Sequence, residues 1–208
     1  MAESSARILL EAPTTYLLLQ PRVNVGRVMA KHDVVAGTVC LDVVVIQRAV
    51  HERIPKPRVE LLVRQGPFHL TLVTYRDKED DVAMWNGLQP GELITVQGEL
   101  QNWNGKLLMV TPYLAARDCE AVWPIYERNS LARWGQIGVA LQAPDQSLQT
   151  VLQASACDTE AALLEAAGIK SDSLLKVLWA GHRPASLEEA SRGQRAINRL
   201  ANLINIGG

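Results

Sequence analysis

Two stretches hold residue types that could do chemistry together. One is Gln101-Asn102-Trp103-Asn104-Gly105, a tryptophan flanked by amides at a turn. The other is a basic run holding Arg48, Arg53, Lys56, Arg58 and Arg64 against Glu52 and Glu60, a local excess of three positive charges (five minus two) with His51 in addition. An exposed aromatic ring stacks bases while nearby cations follow the phosphates, which is the chemistry of single-stranded nucleic-acid binding. The bland alternative folds Trp103 back onto the domain and leaves the arginines as a solvated face. A net charge of −1 over 208 residues counts against a protein that coats DNA by bulk charge. Asp77-Lys78-Glu79-Asp80-Asp81 is acidic and would repel phosphate from its edge, although acids in a first helical turn also favour the helix dipole.

The elements that must position these residues are short strands. Thr38 to Gln47 is long and β-branched, and a basic, proline-marked loop from Arg48 to Lys56 follows it. Val59 to Arg64 and Phe68 to Tyr75 come next, then a helix-sized interruption from Asp77 to Leu88, then Leu93 to Leu100 and Lys106 to Val110. Runs of this kind bounded by Gly, Pro and Asn predict an antiparallel sheet or barrel. Three strands, a short helix and a two-strand hairpin is the order of an OB-fold, whose first and last loops line the ligand groove. Asn104-Gly105 supplies the positive φ that a tight hairpin needs. Met84, Trp85 and Cys40 read as core. The fold class is therefore α+β, with an N-terminal segment over 1–36 packing on the barrel, a five-stranded OB barrel over 37–115 and a helical domain over 116–208.

In the last part, Ala121 to Tyr126 reads as extended because a residue before proline avoids the helical region. Asn129 or Ser130 caps a helix over Leu131 to Leu141 that ends before Pro144, and a second runs from about Gln146 to Ala167, stopped by Gly168. A third starts at Asp172 or Ser173, and Ser186-Leu187-Glu188-Glu189 is a capping box for a fourth. Arg192, Arg195 and Arg199 share one face of that helix. They are a solvated face or secondary nucleic-acid contacts.

Several functions have no motif to carry them. There is no GxxxxGK[ST] loop, no HExxH or CxxC, and no GxSxG. His32, His51, His69 and His182 are scattered, and Cys40, Cys119 and Cys157 are odd in number and far apart, which fits a reducing compartment. No leader and no 18-residue apolar run is present, so a soluble cytoplasmic protein without metal, cofactor or catalytic activity is expected.

From Gly37 onward the chain resembles the wedge region of RecG, the branched-DNA helicase that reverses stalled forks. The matching stretches are the strands with Leu88 to Glu99 and Lys106 to Tyr113, then Val122-Trp123-Pro124-Ile125-Tyr126 and a helix, and finally Ser186 to Arg192. The last is similar to the arginine-bearing helix that leads into that family's motor. The chain stops where the motor domains would begin, so the resemblance implies no helicase activity. In the family, aromatic residues after the third strand separate DNA strands. Tyr75 matches the first of them, but Arg76-Asp77-Lys78-Glu79-Asp80-Asp81 replaces the rest. The resemblance implies a motorless DNA-binding protein, and Tyr75 joins the residues read from the sequence itself, Trp103, Arg48, Arg53, Lys56, Arg58 and Arg64, as expected contacts to single-stranded or forked DNA. The alternative is a protein-interaction module that docks a helicase or another DNA-processing partner.

Overall fold

The computed structural model describes residues 5–31, 37–52, 57–75, 84–127, 129–155, 157–171 and 173–204. The chain divides into two compact units, one over residues 19–121 and the other built from the residues up to Leu18 together with those from Val122 onward.

The first unit is a seven-stranded sheet of β2 (Thr38–His51), β3 (Arg58–Gln65), β4 (Phe68–Tyr75), β5 (Leu93–Glu99), β6 (Gln101–Trp103), β7 (Lys106–Val110) and β8 (Tyr113–Ala115), in the order β6-β7-β4-β3-β2-β5-β8. Strands β2, β3 and β4 form an antiparallel meander, β5 returns to pair with β2, and β7 pairs parallel with β4. This is the OB-like pairing order. The long β2 serves two partners: Thr38 to Val44 pair with β5, and Val44 to His51 pair with β3, with a register shift between Val45 and Gln47. An extra residue bends a strand and increases its twist, which lets one strand turn between two neighbours. The hydrogen-bonded order ends on β6 and β8 among the described residues, while in the chain β5 runs into β6 through Leu100 alone.

Alternation explains the core. Val59, Leu61 and Val63 of β3 are buried, as are Leu70 and Leu72 of β4 and Val43 and Val45 of β2, while the residues between them face outward. Cys40 is buried, and Trp85, on the helical turn Met84 to Gly87, is 2% exposed. The rest of the helix expected over 77–88 lies outside the described residues up to position 83. The segment before the sheet, which includes α2 (Val25–Lys31), is tied down by polar contacts. Arg22 Nε donates to Asp42 Oδ1 at 2.8 Å, Arg22 Nη2 donates to the Arg117 and Cys119 carbonyls, and Gln65 Oε1 accepts from Val25 N–H at 2.6 Å.

The second unit pairs β1 (Thr15–Leu18) antiparallel with β9 (Val122–Ile125) and adds helices α1 (Ser5–Leu10), α3 (Ser130–Gln142), α4 (Pro144–Ser155), α5 (Glu160–Ala166), α6 (Leu174–His182) and α7 (Leu187–Leu203). Leu9 and Leu10 of α1 belong to the same buried cluster as Tyr126, Ile137, Val151, Leu178, Ile197 and Leu200. This corrects the expectation that residues 1–36 form one segment packed on the barrel. Leu9 and Leu10 find their apolar partners among the helices, and from Leu19 the chain joins the sheet unit. The helix expected over 146–167 is also two helices, because Thr159 accepts a bond from Ala162 N–H at 3.2 Å and caps α5 anew. Pro144 opens α4 rather than only ending α3, since a first-turn proline forfeits no helical bond. Asn129, Ser173 and Ser186 cap α3, α6 and α7. Glu189 completes the last cap by accepting from Ala185 N–H at 2.8 Å.

Helices α6 and α7 touch backbone to backbone. A Cβ on Gly193 would lie 2.2 Å from Gly181 N and 2.3 Å from Ala180 C. Buried in the same unit, His182 has Nδ1 2.8 Å from the Tyr126 hydroxyl and Nε2 2.8 Å from the Leu9 carbonyl oxygen. A neutral ring with its proton on Nε2 satisfies both partners. Burial, the main cause, brings the His182 pKa down from 6.5 to about 4, against the opposing Leu9 hydrogen bond.

Gly193→Ala should destabilise the chain by about 1–3 kcal/mol in urea denaturation, because no side-chain movement relieves a backbone clash. Gly135→Ala, in an exposed part of α3 with nothing within 4 Å of its Cβ position, should instead stabilise by up to about 1 kcal/mol. For His182, the unfolded chain takes up a proton near 6.5 and the folded chain only near 4, so stability should fall as pH drops through that window and level off below it. The loss should be on the order of 3 kcal/mol. Thermal melts across pH should show this slope in the native chain and lose it in His182→Gln.

Candidate nucleic-acid interface

The tip between β6 and β7 is a two-residue turn with Asn104 at φ 52 and Gly105 at φ 79. Positive φ at both central positions is a type I′ turn, whose twist matches the strands it joins. Asn102 Oδ1 accepts from Gly105 N–H at 3.0 Å and braces it. The turn fixes the register Trp103↔Lys106 and Gln101↔Leu108, and opposite residues share a face, so Trp103 and Lys106 leave the hairpin on the same side. Trp103 does not fold back on the domain, since it is 68% exposed.

That side continues across the outer face of the sheet. Parallel pairing matches Thr71 with Leu108 and Val73 with Val110, and β3 adds Arg58 opposite Tyr75 and Glu60 opposite Val73. Together these residues line a groove of about 320 Å³ with Trp103 and Lys106 at its hairpin end. The floor is apolar, from Val73, Leu108 and Val110, and two aromatic rings, Tyr75 and Trp103, belong to its lining. Its electrostatics are mixed. Arg58 Nε donates to Glu60 Oε1 at 2.6 Å, and the other Glu60 oxygen lies 3.3 Å from His51 Nε2. The lining charges are therefore Arg58 and Lys106 against Glu60, with Arg58 already engaged.

Of the seven residues expected to form the site, the fold brings together Tyr75, Trp103 and Arg58. Arg48 is not on a loop, because β2 continues to His51. It lies opposite Leu61, whose side chain is in the core, so it leaves the sheet on the face away from Arg58. Arg64 shares the outer face but sits six positions from Arg58 along β3, about 20 Å at ~3.3 Å per residue, opposite Val44 and His69. Arg53 and Lys56, with the acidic run 77–81, lie outside the described residues. Lys106 was not anticipated. The signal was its position immediately after Asn104-Gly105, which in a two-residue hairpin puts it opposite Trp103. The secondary candidates Arg192, Arg195 and Arg199 line a cavity of the helical unit. Among the described residues, no group of three His, Cys, Asp or Glu side chains could hold a metal, and no helix is long and apolar enough to cross a membrane.

No protein-family model and no curated protein matches the chain. Solved structures resemble it at low identity. The structure of RecG bound to a three-way DNA junction is 12% identical over 89% of this chain, with a TM-score of 0.45, and the chain spans 25% of that protein's length. The SSB domain of a Synechococcus protein is 12% identical over 37% of this chain and 91% of its own, with a TM-score of 0.31. The protein PriB from Ralstonia solanacearum is 15% identical over 38% of this chain and 96% of its own, also at 0.31. At this level of likeness the OB-like assignment stands on the strand pairing itself.

Proposed function

We propose that the chain is a non-enzymatic, RecG-related nucleic-acid-binding protein. Its outer sheet face takes a single-stranded segment, either free or at a DNA fork, with the sheet curled into an OB barrel through the continuity of β5 and β6. The observation that carries this reading is Trp103, held in the open at the end of a groove that also contains Tyr75 and Lys106. Bases stack on the two rings, and Lys106 follows the phosphate backbone. The apolar floor suits sugar and base faces rather than a fully hydrated ion.

A second reading is favoured by one specific contact. Glu60 occupies Arg58 and puts a carboxylate inside the groove. A protein partner, such as a helicase or another DNA-processing protein, would tolerate that charge better than phosphate does.

Fluorescence anisotropy with labelled single-stranded, duplex and forked DNA separates the two. On the first reading, single-stranded and forked DNA bind better than duplex and weaken as salt rises. Trp103→Ala should weaken that binding by about tenfold, on the scale of one stacked base, with an unchanged melting temperature. Lys106→Gln should reduce the slope of log affinity against log salt by about 0.7. Glu60→Gln should strengthen binding at low salt. Absence of DNA binding at low salt, or binding indifferent to salt, would reject this reading in favour of the protein partner.

A further inference from the structure

Among the described residues, a cluster of positive charge lies in the helical unit. A cavity of about 610 Å³ is bounded by the turn after α5, one wall of α6 and the polar face of α7. Lys170, Lys176, Arg192, Arg195 and Arg199 line it, against one carboxylate, Glu189, an excess of four positive charges (five minus one) in a chain whose net charge is −1. The carboxylate is already used, since it accepts from Ala185 N–H at 2.8 Å in the α7 cap. Among the described residues, Lys170, Arg192 and Arg195 have no hydrogen-bond or ion-pair partner for their side chains. Arg199 is held at the rim, where its Nη1 donates to the Gly168 carbonyl oxygen at 2.9 Å. Val177 and Ala196 supply apolar wall.

Like charges gathered around one concave space repel, and an anion seated among them relieves that repulsion. Arginines on α7 at positions 192, 195 and 199 rise along the helix axis by about 4.5 and 6 Å, at ~1.5 Å per residue, so they present a row of guanidinium groups. The planar guanidinium fork matches two oxygens of a phosphate. The cavity volume lies inside the ~300–1,000 Å³ range of ligand pockets and exceeds the needs of a single phosphate ion.

We infer that this cavity is a second binding site, one that takes an anion carrying several phosphoryl groups, either a free polyphosphate or consecutive phosphates of a nucleic-acid backbone. The site does not depend on the sheet groove. Only its nucleic-acid source rests on the reading given above.

Isothermal titration calorimetry of the full chain with inorganic tripolyphosphate tests it. Binding is expected, about tenfold weaker in Arg192→Gln and again in Arg195→Gln, and only partly restored by Arg195→Lys, which keeps charge but loses the fork. Trp103→Ala should leave tripolyphosphate affinity unchanged, so failure of the sheet site and failure of this site are separable. Blunt duplex DNA then identifies the source. A matching loss of duplex binding in Arg192→Gln and Arg195→Gln assigns the site to a nucleic-acid backbone, and unchanged duplex behaviour with lost tripolyphosphate binding assigns it to a free polyphosphate. No tripolyphosphate binding, affinity unaltered by the two substitutions, or tighter binding of polyglutamate than of tripolyphosphate would overturn the inference.

Discussion

The groove exists because β7 lies parallel to β4 in one register, with β6 folded back on β7 by a two-residue turn. Side chains of a strand alternate between faces, so a slip of one residue in either pairing would send Trp103 and Lys106 to the core side and bring Leu107 and Met109 out. Burial resists that slip. Met109 and Leu72 are fully buried, and Leu107 and Leu70 nearly so. Each large apolar side chain held out of water contributes roughly 1.5–3 kcal/mol, so several must be exposed at once for the register to move. The exposed tryptophan is thus positioned by the buried residues between which it alternates.

Within the groove, aromatic and ionic contributions differ in strength. A base stacked on an aromatic ring is worth about 1–3 kcal/mol, while exposed ion pairs are worth about 0–1 kcal/mol and fade with salt. Arg58 is held by Glu60 and adds little free charge, so the character of this groove is set mainly by its apolar floor and the rings of Trp103 and Tyr75. In the helical unit the balance is reversed. The cavity there has five cations, an apolar wall and no aromatic residue in its lining, a composition that favours phosphate over bases. Its shape follows from the glycine contact between α6 and α7, since Gly181 and Gly193 let the helices approach closely enough for α7 to present its arginines beside Lys176.

Much of this was readable from residue order. Alternation in Val59 to Arg64 and Phe68 to Tyr75, the Asn104-Gly105 turn and the serine and asparagine caps are short-range signals, because each depends on a few neighbouring side chains and the backbone angles they permit. They led to the OB-like order, the hairpin and the start of three helices. Boundaries that depend on distant partners were not readable. Arg48 belongs to a strand only because β3 is there to accept its backbone bonds, and α1 joins the helices because Leu9 and Leu10 find their apolar partners there.

The site divides along the same line. Local sequence pointed to Trp103, Tyr75 and Arg58, which the fold brings to one groove, and put three arginines on one helical face. Only long-range pairing determines which cations share a space: Arg64 is about 20 Å along the strand, Arg48 is on the other face, and Lys106 and Lys170, neither singled out as a contact in advance, border the two cavities. Charge acts through space rather than along the chain. Its effect at a site is therefore set by the folded distances between side chains that the sequence keeps far apart.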